Sequence, residues 1–272
     1  MKKVFLLTSL LLVGIVLSAC GDSGKEKVSI GISGTDTVVW DYVAEKAAEE
    51  DIEIEIVTFN DYVQPNTALA DGEIDLNAFQ TVAYFDEFIE DRDLDLVPIA
   101  TTNLAPMGIY SDSLTDATDI PDGGTIALPN DVSNQGRALM LLEDAGLITL
   151  VEDYNGLGSI ENAVVENPND YKFEEVAPAQ IPRALGDVDL GIINNGIAKD
   201  ANLHPIKDSI FREDDTAVDY VNIIASNAED ANNETYNRIA DLYQEADTAE
   251  FIEEEYDGAL IPTVLELSEI GW

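Results

Sequence analysis

Short apolar runs alternate with segments of helical periodicity along most of the chain, and that alternation restricts the fold to layered α/β architectures. Val28 to Gly34 reads as a strand ended by glycine. Thr37 to Glu50 then sets Val38, Val39, Tyr42, Val43 and Ala47 at helical spacing. Ile52-Glu53-Ile54-Glu55-Ile56-Val57 alternates almost strictly, the period of a half-buried strand. Gln64 to Asp71 follows as a helix with Pro65 in its first turn, and Leu94 to Thr101 as the next strand. The order restarts at Thr125-Ile126-Ala127-Leu128, continues through a helix over Arg137 to Ala145, and reaches the apolar strand Leu190-Gly191-Ile192-Ile193. Residues 221–226 add a strand, and Asn232 to Glu245 and Ala249 to Glu255 read as helices. The expectation is an α/β protein of two lobes, each a largely parallel sheet flanked by helices. Residues 28–110 plus 215–272 form lobe 1 and 111–214 form lobe 2, with the ligand cleft between them at the carboxyl ends of the strands.

The N-terminus stands apart from this pattern. Lys2 and Lys3 precede the largely apolar run Val4 to Leu17, and Leu17-Ser18-Ala19-Cys20 leads into the polar stretch Gly21 to Lys27. A positive start, a short apolar middle and small residues before a cut are the parts of a secretory signal, and the run is short for a spanning helix. Leu17-Ser18-Ala19-Cys20 resembles the bacterial lipobox, which implies removal of residues 1–19 as a signal peptide and a lipid on Cys20. Residues 20–27 then become a tether on the extracytoplasmic face of the cell membrane. Losing Lys2 and Lys3 takes the formal charge from −42 to −44. So many unpaired carboxylates repel a polyanion, which excludes nucleic acid as a partner.

Catalytic and metal chemistry find little footing. One cysteine permits no internal disulfide, and one histidine permits no multi-His zinc site. His204 sits in Asn202-Leu203-His204-Pro205, a loop, and no Gly-x-Ser-x-Gly elbow accompanies it. Gly156-Leu157-Gly158-Ser159-Ile160-Glu161 begins like a dinucleotide fingerprint but has Glu161 at the third glycine. Asp91-Arg92-Asp93-Leu94-Asp95 imitates a calcium loop, yet Leu96 replaces the required glycine and Thr102 the closing glutamate. The expectation is a binding protein without enzymatic activity, cofactor or metal.

Three polar segments fall at or near strand ends. The first runs from Asn60-Asp61-Tyr62 through Phe79-Gln80 to Tyr84-Phe85, the second is Pro129 to Arg137, and the third is Ile193-Asn194-Asn195-Gly196 with Asn222 on the returning strand. Arg137 is one of only 13 basic residues and lies near the start of an apolar helix, where free backbone N–H groups also favour an anion. A guanidinium there can fork onto a ligand carboxylate, although pairing with one of the 55 acids accounts for a lone arginine equally well. Tyr62, Phe79 and Tyr84 are candidates for an apolar ligand wall, and core packing accounts for aromatics as readily.

At these segments the chain resembles the methionine-binding lipoproteins of the NlpA/MetQ family, the extracytoplasmic components of methionine ABC importers. The likeness runs from the lipobox through Asp61-Tyr62-Val63-Gln64-Pro65-Asn66, Gly72 to Gln80, Pro129-Asn130-Asp131, Gly136-Arg137-Ala138-Leu139, Ala179-Gln180-Ile181-Pro182-Arg183 and Ile193-Asn194. It implies a periplasmic-binding-protein-like fold that closes on its ligand, working as a monomer with a membrane permease and its ATPase. It also implies that Arg137 pairs with the carboxylate of L-methionine or a close analogue and that Asn134, Asn194 and Asn222 contact its main-chain groups. Tyr62, Phe79 and Tyr84 then enclose the thioether. Thr81 stands where many members carry a histidine, so the resemblance leaves another amino acid or a methionine-containing dipeptide as alternative ligands.

Overall fold

A computed structural model of the chain describes residues 26–214 and 220–272. The expected signal peptide, Cys20 and most of the expected tether therefore lie outside the described residues, as do residues 215–219.

The first lobe starts with β1 (Glu26–Ser33), α1 (Val38–Glu49), β2 (Ile52–Phe59), α2 (Gln64–Ala70), β3 (Leu76–Asn77), α3 (Val82–Arg92) and β4 (Leu96–Leu104). The chain then enters the second lobe through β5 (Gly108–Tyr110), β6 (Thr125–Pro129), α4 (Val132–Asp144) and β7 (Thr149–Leu150). There follow α5 (Ile160–Ala163), β8 (Val164–Glu166), β9 (Lys172–Val176), α6 (Ile181–Ala184), β10 (Leu190–Ile193), α7 (Asn195–Asp200) and β11 (Phe211–Arg212). It returns to the first lobe with β12 (Val221–Asn227), α8 (Glu234–Gln244), α9 (Ala246–Tyr256) and β13 (Ile261–Pro262).

Two sheets organise these elements: β13-β4-β12-β3-β1-β2 in the first lobe and β11-β5-β10-β6-β9 in the second. Both are mixed, where the sequence pattern predicts largely parallel strands. β1 runs parallel to β2 and β3, and β6 parallel to β9 and β10, as βαβ units require. β12 and β13 arrive from a crossover and lie antiparallel to β4, and β5 lies antiparallel to β10. A second difference concerns Gly108–Tyr110, which pairs with β10 and β11 and so belongs to the second sheet rather than to lobe 1.

Each sheet is sealed by apolar packing of the periodicity read above. Val28, Ile30 and Ile32 of β1 share a core with Val39, Trp40, Val43 and Ala47 of α1, Ile239 and Leu242 of α8, and Ile252 of α9. In the second lobe Ile126 and Leu128 of β6 pack with Leu139, Leu141 and Leu142 of α4 and Ile192 of β10. Burying one such side chain contributes about 1.5–3 kcal/mol, which anchors the strand ends from which the cleft residues project.

Candidate functional site

All seven residues singled out in the sequence line one composite cavity between the lobes. Its larger chamber, ≈ 160 Å³, is lined by Tyr62, Phe79, Arg137, Asn194 and Asn222 among others. A smaller one of ≈ 30 Å³ shares Tyr62, Phe79 and Asn194 and adds Tyr84 and Asn134. One water needs about 10–15 Å³, so the larger chamber is of ligand size. Both lobes contribute: Tyr62, Phe79, Tyr84 and Asn222 come from the first, and Asn134, Arg137 and Asn194 from the second.

The aromatic wall is a mutual contact of three rings. Tyr62 lies 5.9 Å from both Phe79 and Tyr84, and the Phe79 and Tyr84 centroids are 6.3 Å apart at 73°. The Tyr84 hydroxyl donates to the Tyr62 carbonyl at 3.0 Å, and burial raises both phenol pKa values. Thr81, which lines the smaller chamber, caps α3 by accepting the Tyr84 amide at 3.2 Å.

Behind this wall lies a feature that the sequence reading missed. Asn66, Asn77 and Gln80 are almost fully buried and bonded to one another. Asn66 Nδ2 donates to Gln80 Oε1 at 2.6 Å, Gln80 Nε2 returns to Asn66 Oδ1 at 2.7 Å, and Asn77 Nδ2 reaches the same oxygen at 2.8 Å. Three amides in two neighbouring motifs were the available signal, but pairing across 11 to 14 residues is decided by the α2–β3 turn. Asn103 was also missed: it lines the larger chamber and accepts from Asn222 Nδ2 at 2.9 Å.

Arg137 occupies a different setting from the one its sequence position suggests. α4 begins at Val132, capped by Asp131, so Arg137 sits in its second turn rather than among the free N–H groups of the first. Its surroundings are a buried ion pair: Nε and Nη2 bond Glu213 Oε1 and Oε2 at 2.7 and 2.6 Å, and Nη2 also donates to the Ala105 carbonyl at 3.1 Å. The guanidinium lies 4.4 Å from the Tyr220 ring centroid. Nη1 is the nitrogen that these groups leave unengaged. Close approach of the loop beside α4 is possible because residue 136 is glycine; a Cβ there would collide with the Gly156 carbonyl.

The asparagines of the second lobe form a relay. Asn194 Nδ2 donates to Asn134 Oδ1 at 2.7 Å, and Asn134 Nδ2 to Asp131 Oδ1 at 2.8 Å. Asn194 Oδ1 and Asp131 Oδ2 are buried acceptors with no donor among the described residues. Burial lifts the Asp131 carboxyl above its ordinary range, and the Asn134 bonds oppose that shift.

A row of polar contacts joins the lobes at one edge of the cavity. Thr35 donates to Asp200 Oδ1 through its amide (3.1 Å) and its hydroxyl (2.7 Å), and Lys199 pairs with Asp36 at 2.6 Å. Asn195 Nδ2 donates to the Ala259 carbonyl at 2.7 Å. Gly34, at φ +93°, gives the turn its left-handed step and clears space for the Asp200 carboxylate. His204 lies in the turn beyond α7, its Nδ1 accepting the Ile206 amide at 3.2 Å. Among the described residues no group of three or more His, Cys, Asp or Glu is placed to hold a metal ion, and no helix is long and apolar enough to cross a membrane.

Two α/β lobes, each a sheet flanked by helices, enclosing a cavity built from both, define the class of two-lobed substrate-binding proteins. More particularly, the chain belongs to the NlpA lipoprotein family, whose sequence pattern matches residues 28–264. Several of its relatives there are named as methionine-binding lipoproteins. The chain is 37% identical to the uncharacterized lipoprotein YhcJ of Bacillus subtilis, covering all of this chain and 97% of that one. It is 38% identical to the probable D-methionine-binding lipoprotein MetQ of Vibrio cholerae, covering 91% and 93%. A nutrient-binding protein from Burkholderia cenocepacia, solved bound to methionine, superposes with a TM-score of 0.83 at 36% identity over 87% of this chain and 99% of that one.

Proposed function

We propose that the chain is a lipid-anchored, extracytoplasmic component of an ABC importer that captures L-methionine, or a close analogue, and delivers it to a membrane permease. One observation carries the reading: a single cavity offers a guanidinium nitrogen of Arg137, an orphaned acceptor on Asn194 and a cluster of three aromatic rings. An amino acid with a soft apolar side chain has the matching parts. Its carboxylate lies against Arg137, its ammonium against Asn194 Oδ1, and its thioether against Tyr62, Phe79 and Tyr84, where sulfur–aromatic contacts contribute about 0.3–1.5 kcal/mol. Asn134 and Asn222 complete the main-chain contacts from opposite lobes. The methionine found in the Burkholderia relative and the name of the Vibrio relative support the ligand class.

Capture involves no chemistry. The ligand touches both lobes, so it binds their closed arrangement more tightly than an open one and shifts the population toward it. Cys20 carries the lipid and holds the monomeric protein beside the permease and its ATPase. Mass spectrometry of ligand released from freshly purified, denatured protein should find methionine. In calorimetry Arg137→Ala should weaken L-methionine binding by about 100-fold, the loss of a charge-assisted contact. Retained affinity would remove the carboxylate role from Arg137, and an unrelated ligand in the spectrum would overturn the methionine reading. A thermal-shift series with D-methionine, other amino acids and methionyl dipeptides settles selectivity around Thr81.

A further inference from the structure

The methionine reading assigns Arg137 to the ligand and leaves Glu213 without a role. The geometry points to Glu213 as a positioning residue for ligand capture, which holds Arg137 by its Nε/Nη2 edge so that Nη1 faces the ligand carboxylate and ties that contact to both crossovers between the lobes.

Glu213 meets three converging donors. Its Oε1 accepts from Arg137 Nε, and its Oε2 accepts from Arg137 Nη2 at 2.6 Å and from the Met107 amide at 2.7 Å. Its own amide donates to the Met107 carbonyl at 3.0 Å. Met107 belongs to the first crossover, between β4 and β5, and Glu213 to the second, between β11 and β12, so this reciprocal pair stitches the two together. Arg137 engages both as well, through the Ala105 carbonyl and the face of Tyr220. The two charged side chains are only 4% and 9% exposed, so the pair is fixed by packing and little screened by solvent. A guanidinium held along one edge by a carboxylate has its plane set and cannot swing to another acid. In a chain with 55 acidic residues that restriction matters. Because the held edge meets Ala105 of the first crossover and Glu213 of the second, itself bonded to Met107 of the first, a carboxylate arriving at the free nitrogen acts where the two chain segments that join the lobes are bonded to one another.

The proposal rests on the methionine reading, and its test separates the two. Calorimetry with L-methionine and with L-methioninamide, which lacks the carboxylate, is run on the wild-type chain and on Glu213→Gln and Glu213→Asp. The amide of Glu213→Gln turns a donor toward N–H groups of Arg137 and Met107, so L-methionine affinity should fall about tenfold or more while methioninamide affinity changes less than about twofold. Glu213→Asp keeps both acceptors and the charge, and should recover part of the loss. If Glu213→Gln does not fold, the same contrast between ligands is read on Glu213→Asp. An L-methionine affinity within twofold of wild type, or an equal loss for both ligands, would overturn the positioning role. Absence of L-methionine binding in the wild-type chain would instead overturn the functional reading itself, and this proposal with it.

Discussion

Asn66 shows how much a single polar side chain decides here. Its carbonyl oxygen accepts from Asn77 and Gln80 at once, and its amide nitrogen donates back to Gln80, within a space closed to solvent. Asn66→Leu keeps the branched outline of the side chain but strips two buried N–H groups of their acceptor. The expected loss is about 2–4 kcal/mol of unfolding free energy, read from urea denaturation, together with weaker ligand binding because Phe79 lies between Asn77 and Gln80. A variant with unchanged midpoint and slope would show that the network contributes nothing to stability. The same reasoning separates these residues from the ligand contacts. Asparagines 66 and 77 spend their polar atoms on one another and on Gln80, whereas Asn194, which lines the cavity, retains a buried acceptor with no donor among the described residues.

Among the elements, α7 is the one whose position bears most directly on closure. It follows β10 and presents Asn195, Lys199 and Asp200 to the first lobe, where Thr35, Asp36, Tyr256 and the Ala259 carbonyl receive them. Burial, with Asp36 accepting its hydroxyl at 2.6 Å, raises the Tyr256 phenol, so that proton stays in place at neutral pH. Asp200 lies near the surface, so its two bonds to Thr35 are worth only about 1 kcal/mol together. Asp200→Ala should therefore speed ligand release about fivefold in stopped-flow measurements while leaving the association rate nearly unchanged. An unaltered release rate would mean that α7 rests against the first lobe without holding it.

For the molecule as a whole the dominant quantity is charge. Several of the few basic residues are placed at joints. Lys46 of α1 pairs with Glu245 and Asp247 where α8 meets α9, and Arg238 forks onto Glu50. Hydrogen bonds from Arg238 and Lys46 hold the Glu50, Glu245 and Asp247 carboxyls below their ordinary range. The remaining acids repel one another over distances that salt shortens, from a screening length of about 10 Å at 0.1 M to about 3 Å at 1 M. We expect the melting temperature to rise by roughly 5 °C across that range, an increment of about 1–2 kcal/mol for a protein of this size. A flat or falling profile in calorimetry would show that the acidic surface carries no net repulsion. A rising one would show that salt relieves the repulsion among those carboxylates.

Periodicity in the sequence was enough to establish the α/β class, six of the thirteen strands and five of the nine α-helices among the described residues, and the three segments that converge on the cavity, because each of these depends on neighbours a few residues apart. The start of α4 was not legible: Asn134 and Gln135 read as loop residues until Asp131 is seen to cap the helix. The strand directions of both sheets and the place of Gly108–Tyr110 were likewise set by crossovers that local pattern does not encode. Arg137 marks the division most clearly. Its charge and scarcity singled it out in the sequence, but its partnership with Glu213, 76 residues away, exists only where the two crossovers meet. Local spacing determines which groups a segment carries, and only the packing of distant segments decides which groups face one another and which remain free for a ligand.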